Sequence, residues 1–176
     1  EPFLQQLTFG FRYIFARPGL RALALIYAGI NFFAHLTYFS VLPALILERT
    51  GGDEVAVGIV MGTLGAAGVV GGLVVSVFGL PERKIHVILI GAGLSFLSGD
   101  LLFAAGRTLP VWIAAAGIAS FFIPAIIAAN RTIWQIKVPA ALQGRVLSAY
   151  GVFRNILSPL GYLLAGVLAD RVFSPA

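Results

Sequence analysis

Apolar residues along this chain run in long blocks separated by short polar joints. No Asp, Glu, Lys or Arg interrupts Ala22–Leu47, Val55–Pro81 or Thr108–Asn130. Ile85–Gly106 carries one, Asp100, and Val146–Ala169 carries one, Arg154. A helix needs about 20 apolar residues to cross a bilayer. Backbone in lipid must satisfy its own hydrogen bonds, so each block is expected to be a helix. The pattern predicts an all-α polytopic membrane bundle of five spans over 20–176, at about 22–47, 55–80, 85–106, 109–134 and 143–169.

Ahead of the first span, Leu4, Leu7, Phe11, Ile14 and Phe15 recur at helical spacing, and Pro18-Gly19 closes the segment. Residues 1–19 therefore read as an amphipathic lead-in lying on the cytoplasmic membrane surface. A plain apolar linker is the alternative.

Composition supports the membrane reading. Of 176 residues, 59% are hydrophobic and 11% charged, against about a quarter charged in soluble domains. Mean hydropathy is +0.97. There is no cysteine, which excludes disulfides and thiol chemistry. The net charge of +5 comes with no basic run interleaved with aromatics, so no nucleic-acid partner is expected. The chain opens at Glu1 without Met and with no signal-peptide pattern, and it reads as part of a longer protein.

The cations sort between alternate joints. Arg12, Arg17, Arg21, Arg83, Lys84, Arg131, Lys137 and Arg145 fall on one side, and Arg49, Arg107 and Arg171 on the other. The positive-inside rule puts the first set in the cytoplasm. The N-terminus is then inside and the C-terminus outside.

In the second span Gly58, Gly62, Gly65, Gly68 and Gly72 share one face. Small residues at that spacing let helix backbones approach closely, so this is a packing stripe. It places Gly65 at a helix contact.

Polar residues inside spans are the candidate chemistry. Tyr27, Asn31, His35 and Tyr38 form one stripe on the first span. Such residues face a bundle interior or a water-filled cavity, or they only bind helices together. On the fifth span Ser148, Gly151, Asn155, Ser158 and Tyr162 share a face, with Arg154 at its edge. Counted from Arg145, Arg154 lies about 13 Å along the helix. It either snorkels to the cytoplasmic surface or faces a polar cavity. Asp100 is near enough to the outer end of its span to meet headgroups. Pro124 and Pro159 each remove a helical hydrogen bond and are expected to bend their helices. No catalytic or metal-binding motif is present, so neither an enzyme nor a cofactor is expected.

The segment Asn130–Phe173 resembles the major facilitator superfamily, in the bacterial branch of enterobactin and macrolide exporters. It carries Val138-Pro139, Gly144-Arg145-Val146, and Pro159-Leu160-Gly161 with Gly166. Gly10–Leu23 is similar to the lead into the family's seventh helix. The joint "GLPERKIHV" holds Glu82, Arg83 and Lys84 where the family has a fuller loop motif. The resemblance implies half of the major facilitator fold, helices seven to eleven, with the twelfth beyond Ala176. It implies that Tyr27, Asn31, His35, Tyr38 and Ser120 line a substrate cavity. It places Arg154, Asn155, Ser158, Pro159 and Gly161 at a seam with, or a gate against, an N-terminal half. Glu82, Arg83, Lys84, Gly144 and Arg145 belong to cytoplasmic loop motifs. The implied function is proton-coupled efflux of a small amphipathic compound, by a permease or antiporter of the bacterial inner membrane. Its partners are lipid, the substrate and the N-terminal half. The alternative is a non-transporting membrane anchor or assembly module for a partner protein.

Overall fold

The computed structural model describes the backbone of residues 3–168, and the side chains of all of these except 3–7, 165, 167 and 168. Every regular element among them is helical. In chain order they are α1 (Phe3–Phe15), α2 (Pro18–Thr50), α3 (Glu54–Phe78), α4 (Lys84–Ala105), α5 (Leu109–Lys137), α6 (Ala140–Asn155) and α7 (Ser158–Leu168). Four of them, α2 to α5, are long and apolar enough to cross a membrane.

The joints follow local chemistry. Pro18 opens α2 in its first turn, where a missing N–H costs nothing. Gly51 and Gly52 both adopt positive φ, 70° and 96°, in the turn after α2. Asp53 then caps α3, accepting from the backbone N–H of Val55 at 2.9 Å and of Ala56 at 3.1 Å. Gly79, at φ 73°, ends α3. Lys84 Nζ donates to the carbonyls of Leu80 and Pro81 just beyond it, at 3.1 and 2.7 Å.

The fifth expected span is not one helix. Among the described residues it is two, α6 and α7, with a turn at Ile156–Leu157. Pro159 is the second residue of α7. It has no N–H for the preceding turn and it disfavours helical backbone at the residue before it. The family-like Pro-Leu-Gly thus coincides with a break in the helix, a larger effect than the bend expected. Ala169, the last residue of that span, lies outside the described residues, as do Asp170 and Arg171. Pro124 behaves similarly: α5 is interrupted at Phe122, two residues before it.

Two further irregularities have no counterpart in the hydropathy pattern. Thr37–Val41 in α2 and Ser95–Asp100 in α4 are wide π turns. In the first, the N–H of Leu42 reaches Thr37 O, just ahead of Pro43. A proline leaves the carbonyl four residues back without its donor, and widening the turn relieves the clash of its ring.

The chain divides into two units. The first comprises residues 1–45 and 134–176, and the second residues 46–133. In the first unit α1 packs against α6, and α2 against both α6 and α7. The lead-in is a helix, with Tyr13 and Ile14 buried. Phe11 and Phe15 both meet Phe153 edge-on. A Cβ on Gly10 would stand 2.7 Å from Arg145 O, so only glycine lets α1 approach α6 this closely. Leu4 and Leu7 of the expected stripe lie outside the described side chains.

In the second unit α3 and α4 both pack on the first half of α5. The contact centres on Ala119–Phe121. A Cβ on Gly71 would overlap Phe121 O. A Cβ on Gly99 would come within 2.6 Å of the Ala119 methyl. The hydroxyl of buried Ser95 donates to Ala119 O. The glycine stripe on α3 is therefore only partly a packing seam. Of its members Gly68 and Gly72 meet α5, while Gly58, Gly62 and Gly65 have no described atom within 4 Å of a built Cβ; the closest approach is at Gly71, which is not part of the stripe. The expectation for Gly65 fails because the packed face of α3 is the one that buries Ala56, Val60 and Gly71, and Gly65 lies on another.

Candidate functional site

The first unit brings the two expected sets of polar residues onto one seam. Tyr27, Asn31 and His35 recur every four residues and so share one side of α2. Opposite stand α6 and α7, carrying Tyr150, Arg154, Ser158 and Tyr162.

At one end of the seam, His35 Nδ1 and the Tyr162 hydroxyl are 2.8 Å apart, a hydrogen bond between α2 and α7. The rings also pack, with centroids 5.0 Å apart. Phe39 covers the imidazole on another side at 5.3 Å. This proximity depends on Gly161. A Cβ there would lie 3.0 Å from Phe32 O and 3.5 Å from the His35 Cβ. A larger residue would push α7 away and stretch the bond.

At the other end, Tyr27 is buried at 4% exposure and Tyr150 at 6%. Tyr27 lies within electrostatic reach of both Tyr150 and Arg154. Trp134 stacks on Tyr150 with ring centroids 4.3 Å apart and fixes its orientation. Asn31 donates to Tyr27 O at 2.8 Å, so its amide closes onto its own helix. Arg154 Nε and Ser158 Oγ are enclosed, with no hydrogen-bond partner among the described residues.

The remaining expected residues distribute differently. Tyr38 lies within the π turn of α2. Asn155 is exposed and donates to Gly151 O of its own helix at 2.9 Å. Pro159 is exposed at the start of α7. Ser120 belongs to the second unit, where it is buried against Gly68 of α3. Glu82 and Arg83 are exposed in the α3–α4 joint, while Lys84 closes the end of α3. Gly144 is open, and Arg145 contributes its backbone to the contact with α1.

Sequence reasoning missed Tyr150 and did not pair Tyr162 with His35. Tyr150 stands four residues before Arg154, on the same helical face, and that spacing was the available signal. No signal in the sequence pairs Tyr162 with His35, because the pairing depends on how α7 is set after the break.

Chemically, the seam offers a hydrogen bond between an imidazole and a phenol, in which Nδ1 accepts or donates according to its tautomer. It also offers the half-buried guanidinium of Arg154, whose Nε is enclosed. No group of three or more His, Cys, Asp or Glu able to hold a metal occurs among the described residues.

No family model and no solved structure matches the chain. Among characterised proteins, it is 24% identical over 173 residues to macrolide efflux protein A of Streptococcus pyogenes. The same figures hold for macrolide efflux protein A of the serotype M6 strain of that species. The likeness covers 97% of this chain and 42% of each relative, so the chain spans less than half the length of the proteins it resembles. This is a distant similarity to an efflux protein, carried by a helical chain with four spans long and apolar enough for a membrane.

Proposed function

We propose that this chain is the C-terminal part of a secondary active transporter of the major facilitator type, which expels a small amphipathic compound by alternating access. The observation that carries the reading is the likeness to macrolide efflux protein A over 97% of the chain. Apolar helices carrying a polar seam support it. So do the π turns and proline breaks, which give the helices places to bend. In this reading His35 is the group through which protons couple to movement, because its hydrogen bond with Tyr162 joins α2 to α7. The protein sits in the bacterial inner membrane with its N-terminus in the cytoplasm. An N-terminal half completes the cavity, and the mechanism is rocking of one half against the other. It performs no covalent catalysis.

The test is uptake of labelled macrolide into inverted vesicles carrying the full-length protein, with and without a proton gradient. Uptake that collapses when the gradient is dissipated supports the reading. Absence of transport for every amphipathic compound tried, with folded protein in the membrane, favours a membrane anchor or assembly module instead.

A further inference from the structure

Charge is divided unevenly between the two units. The described residues of the second unit hold Glu48, Asp53, Glu54, Glu82 and Asp100 alongside Arg49, Arg83, Lys84, Arg107 and Arg131. Those of the first unit hold Arg12, Arg17, Arg21, Lys137, Arg145 and Arg154, and no Asp or Glu at all. Most of these cations have an evident environment. Arg12, Arg21, Lys137 and Arg145 are exposed near helix ends. Arg17 lies over the Tyr13 ring, 3.5 Å from its centroid.

Arg154 differs. It stands near the end of α6, and its Nε is enclosed without a hydrogen-bond partner. Four residues on, across the break, Ser158 is 8% exposed and its hydroxyl is likewise enclosed and unpartnered. Buried Tyr27 lies in electrostatic reach of Arg154 and of buried Tyr150. The cluster is rich in donors and has no carboxylate. Arg154 is half-buried with its Nε enclosed and unpartnered, and the planar fork of a guanidinium fits a carboxylate or phosphate.

We infer that Arg154 and Ser158 form a binding site for an oxyanion, a carboxylate or phosphate carried by an amphipathic molecule, that enters the seam between α2 and α6 and α7. Arg154 binds the charge, Ser158 donates to a second oxygen, and Tyr27 and Tyr150 enclose them. The oxyanion belongs either to a free amphipathic anion or to a lipid headgroup. The inference shares residues with the transport reading, but it is tested by binding alone. Failure of transport leaves it standing, and its own failure leaves the transport reading standing.

The stacking of Trp134 on Tyr150 supplies a spectroscopic probe. The protein is placed in phosphatidylcholine nanodiscs and titrated with octanoate or octyl phosphate while tryptophan emission is followed. Octanol serves as the uncharged control, and Trp134→Phe confirms which tryptophan responds. The expected result is a saturable change with both anions and none with octanol. Arg154→Gln weakens binding at least ~10-fold, as loss of a charge-assisted pair should, and Ser158→Ala weakens it less. Arg154→Lys falls between wild type and Arg154→Gln, because it keeps charge without the fork. In a second arm, nanodiscs of phosphatidylglycerol receive no soluble anion. An emission change there that Arg154→Gln abolishes supports the site and assigns it to a lipid headgroup. A change confined to the first arm supports it and assigns it to a free anion. Equal affinity in wild type and Arg154→Gln, an equal response to octanol, or no response in either arm overturns the inference. If Arg154→Gln does not fold, unchanged affinity in both Arg154→Lys and Ser158→Ala overturns it.

Discussion

The imidazole of His35 and the phenol of Tyr162 stand 2.8 Å apart although 127 residues separate them in the chain. One is on α2 and the other beyond the break that starts α7. The bond joins two helices that the hydropathy pattern treats as separate spans.

Tyr162→Phe keeps the ring and removes the hydroxyl. Hydrogen bonds between membrane helices average about 0.6 kcal/mol and reach about 1.7, so a loss in that range is expected. His35→Ala should cost more, since it also empties the space against Gly161 and Phe39. The two effects should not add, because both variants remove the same bond. Unfolding in bicelles, measured for both single variants and the double variant, gives the coupling directly. Strict additivity would show that the bond contributes nothing.

In the full-length transporter, His35→Ala should alter transport or its pH dependence while folded protein accumulates normally. A purely structural His35 predicts the opposite, a lower yield with normal transport by what remains. Yield and transport measured across pH separate the two. Wild-type values for yield, rate and pH profile together would remove His35 from the site.

Gly71→Leu should be severely disruptive, because the new side chain would occupy the position of the Phe121 carbonyl where α3 meets α5. Gly65→Leu, six residues earlier, should leave the fold intact, since nothing described lies within 4 Å of its built Cβ. Gly79→Leu should also destabilise, by about 1 kcal/mol or more, because its φ of 73° is unfavourable for leucine. Thermal stability in detergent ranks the three. A Gly65→Leu protein as unstable as Gly71→Leu contradicts the packing described.

The proposed orientation, with the N-terminus in the cytoplasm, rests on the distribution of Lys and Arg. Cysteines placed at Asp53 and Arg107 should react with an impermeant reagent added outside intact cells. Cysteines at Lys84 and Lys137 should react only after permeabilisation. The reverse pattern inverts the topology.

The sequence by itself determined that the chain is helical and membrane-embedded. Long uncharged blocks leave the backbone no other way to satisfy its hydrogen bonds in lipid. The helix ends at Pro18, the Gly51-Gly52 pair, Asp53 and Gly79 likewise follow from local backbone chemistry. The sequence identified Tyr27, Asn31, His35, Arg154 and Ser158 as polar groups out of place in an apolar setting. Only the tertiary structure decided which of them meet. The break before Pro159 fixes how α7 is set against α2, and thereby joins Tyr162 to His35. Hydropathy is blind to that break, because an apolar turn and an apolar helix have the same composition. Likewise the glycine stripe declared that α3 can be approached closely, but not where. That was settled by the Ala119–Phe121 stretch of α5, which meets Gly71 and leaves Gly65 open. Gly71 shares its face with buried Ala56 and Val60, and Gly65 is turned to another, so the face that packs is not the one the stripe marks.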